Sequence, residues 1–308
     1  MTIICYKNWE KLCDLTWESG RRLPEKPCIL FCTTDHIDNL FRDILDSNYS
    51  IPLVLVSGAS DNGIVESIHS NSVRDISRFF PMVPDLAQFS GNGNRDFVMR
   101  ARKNIGKCLD RDKYTVRMYS WVSSTFPMIP SNIIKWFCTN CNIVDDRIVQ
   151  IPFGVNEFTL NFYHGEKSQK ILLAAWGYNT NERAQLMKYL EQTGLASTYQ
   201  DLEHSKYLDE IRNHRANLCP VGNGYDSYRI LETLYCGRVP IILYGNEPIY
   251  WLEAYRYCPY IAITRFDYEA ILNNLEKQES LFSENDWQTA ISMEYWECLI
   301  KAELKAIF

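Results

Sequence analysis

The chain has 308 residues, 46% of them hydrophobic, which is enough for one large core or two ordinary ones, and two domains fit this length better. Its 32 basic and 38 acidic residues give a net charge of −6 with no long run of either sign, which argues against a dedicated binder of nucleic acid or of an anionic membrane. The 11 cysteines are odd in number and many fall within apolar strands (Cys28, Cys32, Cys219) or helices (Cys236, Cys298), so reduced, buried thiols are expected rather than a disulfide framework. The opening residues MTIICYKNWEKLCDLTWESGRR lack the apolar core of a signal peptide, and no later stretch approaches a membrane span. A soluble, cytoplasmic protein is expected.

Apolar strands alternate with amphipathic segments along the first half. Residues 28–33 (CILFCT) predict a buried strand, 37–45 a helix and 53–57 (LVLVS) a second, more apolar strand. Both strands end in polar turns, Thr34-Asp35-His36 and the run 58–63, which contains Asp61 between Gly58 and Gly63. In an open α/β sheet the crevice beyond the carboxyl ends of the strands is where ligands bind. Residues 71–94 are interrupted by Pro81, Pro84, Gly91 and Gly93 and predict a loop, a candidate lid or acceptor surface. A helix is predicted over 95–108, a strand over 115–120, a helix over 131–137 and a strand over 147–151. Cys138 and Cys141 form a C-x-x-C, but no second pair or histidine cluster completes a zinc site, and no metal is expected.

Pro152-Phe153-Gly154, followed by an irregular polar run to Gln169, marks the predicted boundary between domains 1–155 and 156–308. The alternation then restarts. A strand is predicted over 171–176, a helix over 180–192 with Arg183 in its first turn, and a helix over 207–213. After the central motif come a strand over 239–243, a helix over 248–255, a strand over 260–263, a helix over 268–275 and a helical stretch over 287–307.

Residues 216–243 (ANLCPVGNGYDSYRILETLYCGRVPIIL) organise the second half. A strand leads to Pro220 and to a turn of Gly222, Asn223 and Gly224. Tyr225 and the capping pair Asp226 and Ser227 follow, and a helix then runs to Cys236. Gly237 stands where a helix C′ residue needs positive φ. Glycines let backbone amides approach a ligand closely, and a helix start presents positive charge, so a phosphate is the natural occupant. Arg229 and Glu232 share a helix face: a guanidinium can grip phosphate oxygens and a carboxylate can accept both hydroxyls of a ribose. The same pair also fits a surface i,i+3 salt bridge. Tyr225 and Tyr228 can stack on a base or sugar, or belong to the core.

The arrangement Pro220, Gly222, Asn223, Gly224, Asp226, Arg229, Glu232, Leu234, Gly237, Pro240 resembles the nucleotide-sugar motif of exostosin-like glycosyltransferases, the family-47 type of the GT-B architecture. The similarity extends more loosely over residues 130–275. It implies an α/β fold of two Rossmann-like domains facing a cleft, the first for the acceptor and the second for the donor, with a C-terminal helix crossing back to the first domain. It implies donor-site roles for Arg183, Gly222, Asn223, Gly224, Tyr225, Asp226, Ser227, Tyr228, Arg229 and Glu232.

The expectation is an inverting glycosyltransferase, a hexosyl- or pentosyltransferase that moves a sugar from a UDP-sugar, with a lean to UDP-xylose, to a hydroxyl of a glycan or glycoprotein. No cofactor or metal is expected, because the helix start and the arginines replace a cation and no Asp-x-Asp pair stands at a strand end. Nucleic acid is not an expected partner. The base is placed on Asp61, with Asp35 next and the unassigned stretch around Asp75 after it. A non-catalytic nucleotide-sugar binding module is the alternative. A dehydrogenase or methyltransferase is disfavoured, because Arg-x-x-Glu has no role in a dinucleotide fingerprint.

Overall fold

A computed structural model describes residues 3–18, 20–58, 129–140, 145–155, 169–177, 181–221, 226–244, 250–283 and 286–308. Within them the chain forms two five-stranded parallel sheets flanked by helices, the α/β class expected. The first sheet runs β1 (Leu15–Trp17), β2 (Cys28–Thr33), β3 (Leu53–Gly58), β4 (Ile133–Cys138) and β5 (Ile148–Gln150), neighbours in that order. Helices α1 (Tyr6–Leu12) and α2 (Ile37–Asp46) belong to it. Both faces of this sheet are covered, which is why β2 and β3 read as continuous apolar runs rather than alternating ones. Ile29, Phe31, Val54 and Val56 share a core with Trp9 of α1, whereas Leu30, Cys32, Leu53 and Leu55 lie with Ile37, Leu40, Phe41 and Ile44 of α2. The buried Trp136 indole donates to Ser57 Oγ at 2.8 Å, fastening β4 to β3.

The second sheet is built from β6 (Lys170–Ala175), β7 (Ser197–Tyr199), β8 (His214–Pro220), β9 (Val239–Leu243) and β10 (Ile261–Ile263), in the order β10-β9-β8-β6-β7. Its helices are α3 (Asn181–Thr193), α4 (His204–Arg212), α5 (Tyr228–Tyr235) and α6 (Tyr268–Leu281). Met187 and Leu190 of α3 and Ile271 and Leu275 of α6 cover one face, with α4 and α5 packed on the other. The chain leaves β6 for β7 and then returns to the far side of β6 to lay down β8. That reversal makes the β6/β8 boundary the topological switch point of the sheet.

The core on the α4/α5 side is continuous with the core on the α1 side of the first sheet. The last helices, α7 (Asp286–Ala290) and α8 (Met293–Lys305), take part in it. Trp296 and Ile300 of α8 pack with the residues of β2 and β3, so the C-terminal helix crosses back to the first sheet as expected. Tyr235 of α5 fixes the junction: its hydroxyl accepts the Ile4 N–H and donates to the Ile291 carbonyl, both at 2.9 Å. No helix among the described residues is long and apolar enough to cross a membrane.

Four expectations differ from the structure. The helix predicted over 131–137 is strand β4. Its apolar pairs, Ile133-Ile134 and Trp136-Phe137, fit a helical face as well as a strand, and pairing with β3 and β5 decides between them. The predicted helix over 248–255 is a 3₁₀ segment, Tyr250–Tyr255, and the stretch over 287–307 is broken at Ile291 and Ser292, where Ser292 Oγ caps α8 through the Tyr295 N–H. Cys298 is exposed rather than buried, whereas Cys28, Cys32, Cys219 and Cys236 are buried and free. The elements predicted within 71–120 lie outside the described residues.

Candidate functional site

The site is built around the start of α5. Ser227 has the extended backbone of an N-cap, and its Oγ accepts the Arg229 N–H at 3.2 Å. The Ser227 carbonyl accepts the Ile230 N–H at 3.1 Å. Two first-turn amides are thereby used internally, so charge, more than free N–H groups, is what this helix start presents to a ligand. The helix ends as the sequence demands: Gly237 has φ +66°, its N–H reaches the Leu234 carbonyl and the Arg238 N–H reaches that of Thr233, a Schellman closure.

A cavity of about 260 Å³ opens beside α5 at the carboxyl ends of β6 and β7. Ala175, Trp176 and Gly177 line it from the end of β6, and Asp201 and Leu202 from the segment after β7. His204 and Tyr207 of α4 and Tyr228, Arg229 and Glu232 of α5 complete the wall. It therefore sits beside the switch point, where an open α/β sheet leaves room for a ligand, and falls just below the size range of small-molecule sites, about 300–1,000 Å³. Gly177 permits the close approach of Asp201, since a Cβ there would lie 3.1 Å from Asp201 Oδ1.

Arg229 and Glu232 do not pair with each other. The Arg229 guanidinium lies 5.9 Å from the centre of the Tyr207 ring, and its Nε donates to the Ala175 carbonyl at 3.3 Å. Glu232, 4% exposed, receives His204 Nε2 on Oε1 at 2.8 Å. Tyr207 is itself locked, its hydroxyl accepting from Asn217 Nδ2 at 3.0 Å while the same amide donates to Thr233 Oγ1 at 2.8 Å. Among the described residues no carboxylate forms an ion pair with Arg229.

Arg183 of α3 does not line the cavity but is buried at the end of β8. It is 4% exposed; its Nε donates to the Val221 carbonyl at 3.2 Å and its Nη2 to that of Pro220 at 2.6 Å. These carbonyls close β8 immediately before residues 222–225. Burial, and then the nearby positive charge of Arg229, lower its pKa to about 10, still well above neutrality. An anion bound beside Arg229 would offset the mutual repulsion of these two positive charges.

Asp226 turns away from the cavity. Its Oδ2 accepts the Phe153 N–H at 2.8 Å and the Tyr255 hydroxyl at 2.7 Å, and its Oδ1 accepts the Ser227 N–H at 2.6 Å. Its own N–H donates to Asn140 Oδ1 at 2.6 Å. Tyr228 both lines the cavity and packs on Phe153, ring centres 5.0 Å apart. Asp35 lies in the 3₁₀ turn Thr34–His36 at the carboxyl end of β2, half-exposed, beside the end of β3 to which Thr34 Oγ1 bonds. Asp61, Gly222, Asn223, Gly224 and Tyr225 lie outside the described residues.

Sequence reasoning did not single out His204, Tyr207, Trp176, Gly177 or Asp201. A glycine at the end of an apolar strand was a signal for Gly177. No local pattern marks the others, because folding alone brings them to α5. Among the described residues no cluster of three or more His, Cys, Asp or Glu side chains is arranged to hold a metal ion.

No protein-family model matches the chain, and no curated protein matches it. Among solved structures it is similar to the glycotransferase of kitacinnamycin, with 9% identity over 90% of this chain and 72% of that one at a TM-score of 0.33. It is also similar to the calicheamicin glycosyltransferase, with 9% identity over 98% of this chain and 75% of that one at a TM-score of 0.34.

Proposed function

We propose that this chain is an inverting glycosyltransferase that moves a sugar from a UDP-sugar, with a lean to UDP-xylose, to a hydroxyl of a glycan or glycoprotein. Residues 156–308 hold the donor and residues 1–155 the acceptor. The observation that carries this reading is that Arg229 and Glu232, one turn apart on α5, line a single cavity beside the switch point. The resemblance of residues 216–243 to exostosin-like glycosyltransferases supports it.

In the reaction, the acceptor oxygen forms a bond to the anomeric carbon as the bond from that carbon to the phosphate oxygen breaks, its electron pair leaving with UDP. The acceptor proton passes to a carboxylate, for which Asp61 is the choice and Asp35 the alternative. Negative charge grows on the leaving diphosphate, so Arg229 and the positive end of α5 favour the transition state over the ground state. Glu232 accepts from the ribose. No metal or cofactor is needed, because these cations neutralise the leaving group.

The test is release of free UDP from a panel of UDP-sugars, with and without glycan acceptors and with and without EDTA. Acceptor-dependent release that persists in EDTA is expected. Binding of UDP-sugars without release in any combination would instead make the chain a binding module. Loss of turnover in EDTA with recovery on adding Mn²⁺ would overturn the metal-independent mechanism.

A further inference from the structure

Glu232 is nearly buried, and a buried carboxylate is costly unless hydrogen-bonded. Its carboxylate can only accept, so the 2.8 Å contact fixes the proton on His204 Nε2 and makes the imidazole the donor. A carboxylate has about four acceptor positions. His204 fills one of them, and both residues line the cavity, so further acceptor capacity faces the ligand space. The imidazole also stands 6.2 Å, ring centre to ring centre, from Tyr207, which is anchored through Asn217. The carboxylate is therefore held by a group that is itself held.

We infer that His204 is the positioning residue that sets the Glu232 carboxylate to receive a ribose diol, and that it makes the cavity prefer ribonucleotides to deoxyribonucleotides. This rests on the donor-site reading given above. Without the imidazole the carboxylate is free to turn, and a hydroxyl pair that needs both oxygens in one plane loses its fixed acceptor. His204 and Glu232 stand 28 positions apart in the chain, so the contact ties the ribose end of the cavity to α4, an element with no part in the motif itself.

Calorimetry with UDP and with 2′-deoxy-UDP on the wild-type chain, His204→Ala and His204→Gln tests this. The wild type should bind UDP at least about tenfold more tightly than the deoxy form, the scale of one hydrogen bond to a charged group. In His204→Ala the preference should shrink to less than about threefold, mainly through weaker UDP binding, and His204→Gln, whose amide can donate from a similar position, should restore much of it. Should the alanine variant fail to fold, His204→Phe keeps the ring against Tyr207 without the donor and carries the same expectation. Full discrimination in His204→Ala or His204→Phe reduces the contact to a tie between two helices and overturns the inference, as does equal binding of both nucleotides by the wild type. Absence of any UDP binding by the wild type rejects the donor-site reading, and the inference falls with it.

Discussion

Asp226 and Phe153 are joined by a 2.8 Å hydrogen bond from the Phe153 N–H to the Asp226 carboxylate, linking the segment that precedes α5 to the stretch where the chain passes from one sheet to the other. Tyr255 and Asn140 complete the junction, so residues from three separate parts of the chain converge on one buried aspartate. Replacing it by alanine strands the Phe153 N–H and the Tyr255 hydroxyl at about 1–3 kcal/mol each. Asp226→Ala should lose on the order of 3 kcal/mol or more of stability, read as a fall in the urea midpoint. A change under about 0.5 kcal/mol would place it among ordinary surface substitutions and remove its role as a junction.

The same carboxyl should make stability depend on pH. Burial raises its pKa from 3.8 to about 6, although Tyr255 and the Phe153 and Ser227 amides favour the charged form. Between those values the folded chain holds a proton that the unfolded chain has released. The contribution is therefore full below about pH 4, declines as pH rises to about 6 and is flat above, a loss on the order of 3 kcal/mol. Urea midpoints for wild type and Asp226→Asn at pH 4 to 7 should converge or diverge across this window by that amount. Parallel curves would contradict it.

Arg183 grips two carbonyls at the end of β8 with a fork that an ammonium cannot reproduce. Arg183→Lys should keep the fold but loosen the approach to residues 222–225, weakening UDP binding about tenfold, or about 1.4 kcal/mol, by calorimetry. Unchanged affinity would confine Arg183 to the scaffold.

Much of this architecture was legible in the sequence. The strands at Val239–Leu243 and Cys28–Thr33 have the bounds that the sequence predicts, because β-branched and apolar runs bounded by turn residues admit few other structures. Gly237 takes the positive φ that its place after the helix predicts. Strand β4 is not legible in this way, since six residues of mixed aromatic and β-branched character satisfy either period. The three-residue strands Leu15–Trp17 and Ser197–Tyr199 lack the β-branched apolar run that marks the equally short Ile148–Gln150 and Ile261–Ile263. Site residues divide in the same way. That Arg229 and Glu232 face one cavity is legible from their spacing on one helix, whereas the partners of Asp226 stand 73 and 86 residues away, so its turn inward depends on contacts that no local pattern encodes.

For the base, Asp61→Asn should bind UDP-sugar normally and lose transfer by at least roughly a hundredfold, while Asp35→Asn loses less than about tenfold. Single-turnover rates at saturating donor separate the two. The reverse ranking would move proton transfer to the carboxyl end of β2, where Asp35 stands.

The most direct measurement is acceptor-dependent UDP release by wild type and Arg229→Ala in parallel, at matched folded concentration established by thermal melting. Loss of the guanidinium should cost about 2–4 kcal/mol of transition-state stabilisation, a fall of roughly thirty- to a thousandfold in kcat/KM, with the melting transition preserved. Near-wild-type turnover in folded Arg229→Ala, or no acceptor-dependent release by the wild type with any UDP-sugar, would contradict the assignment of this cavity as the donor site.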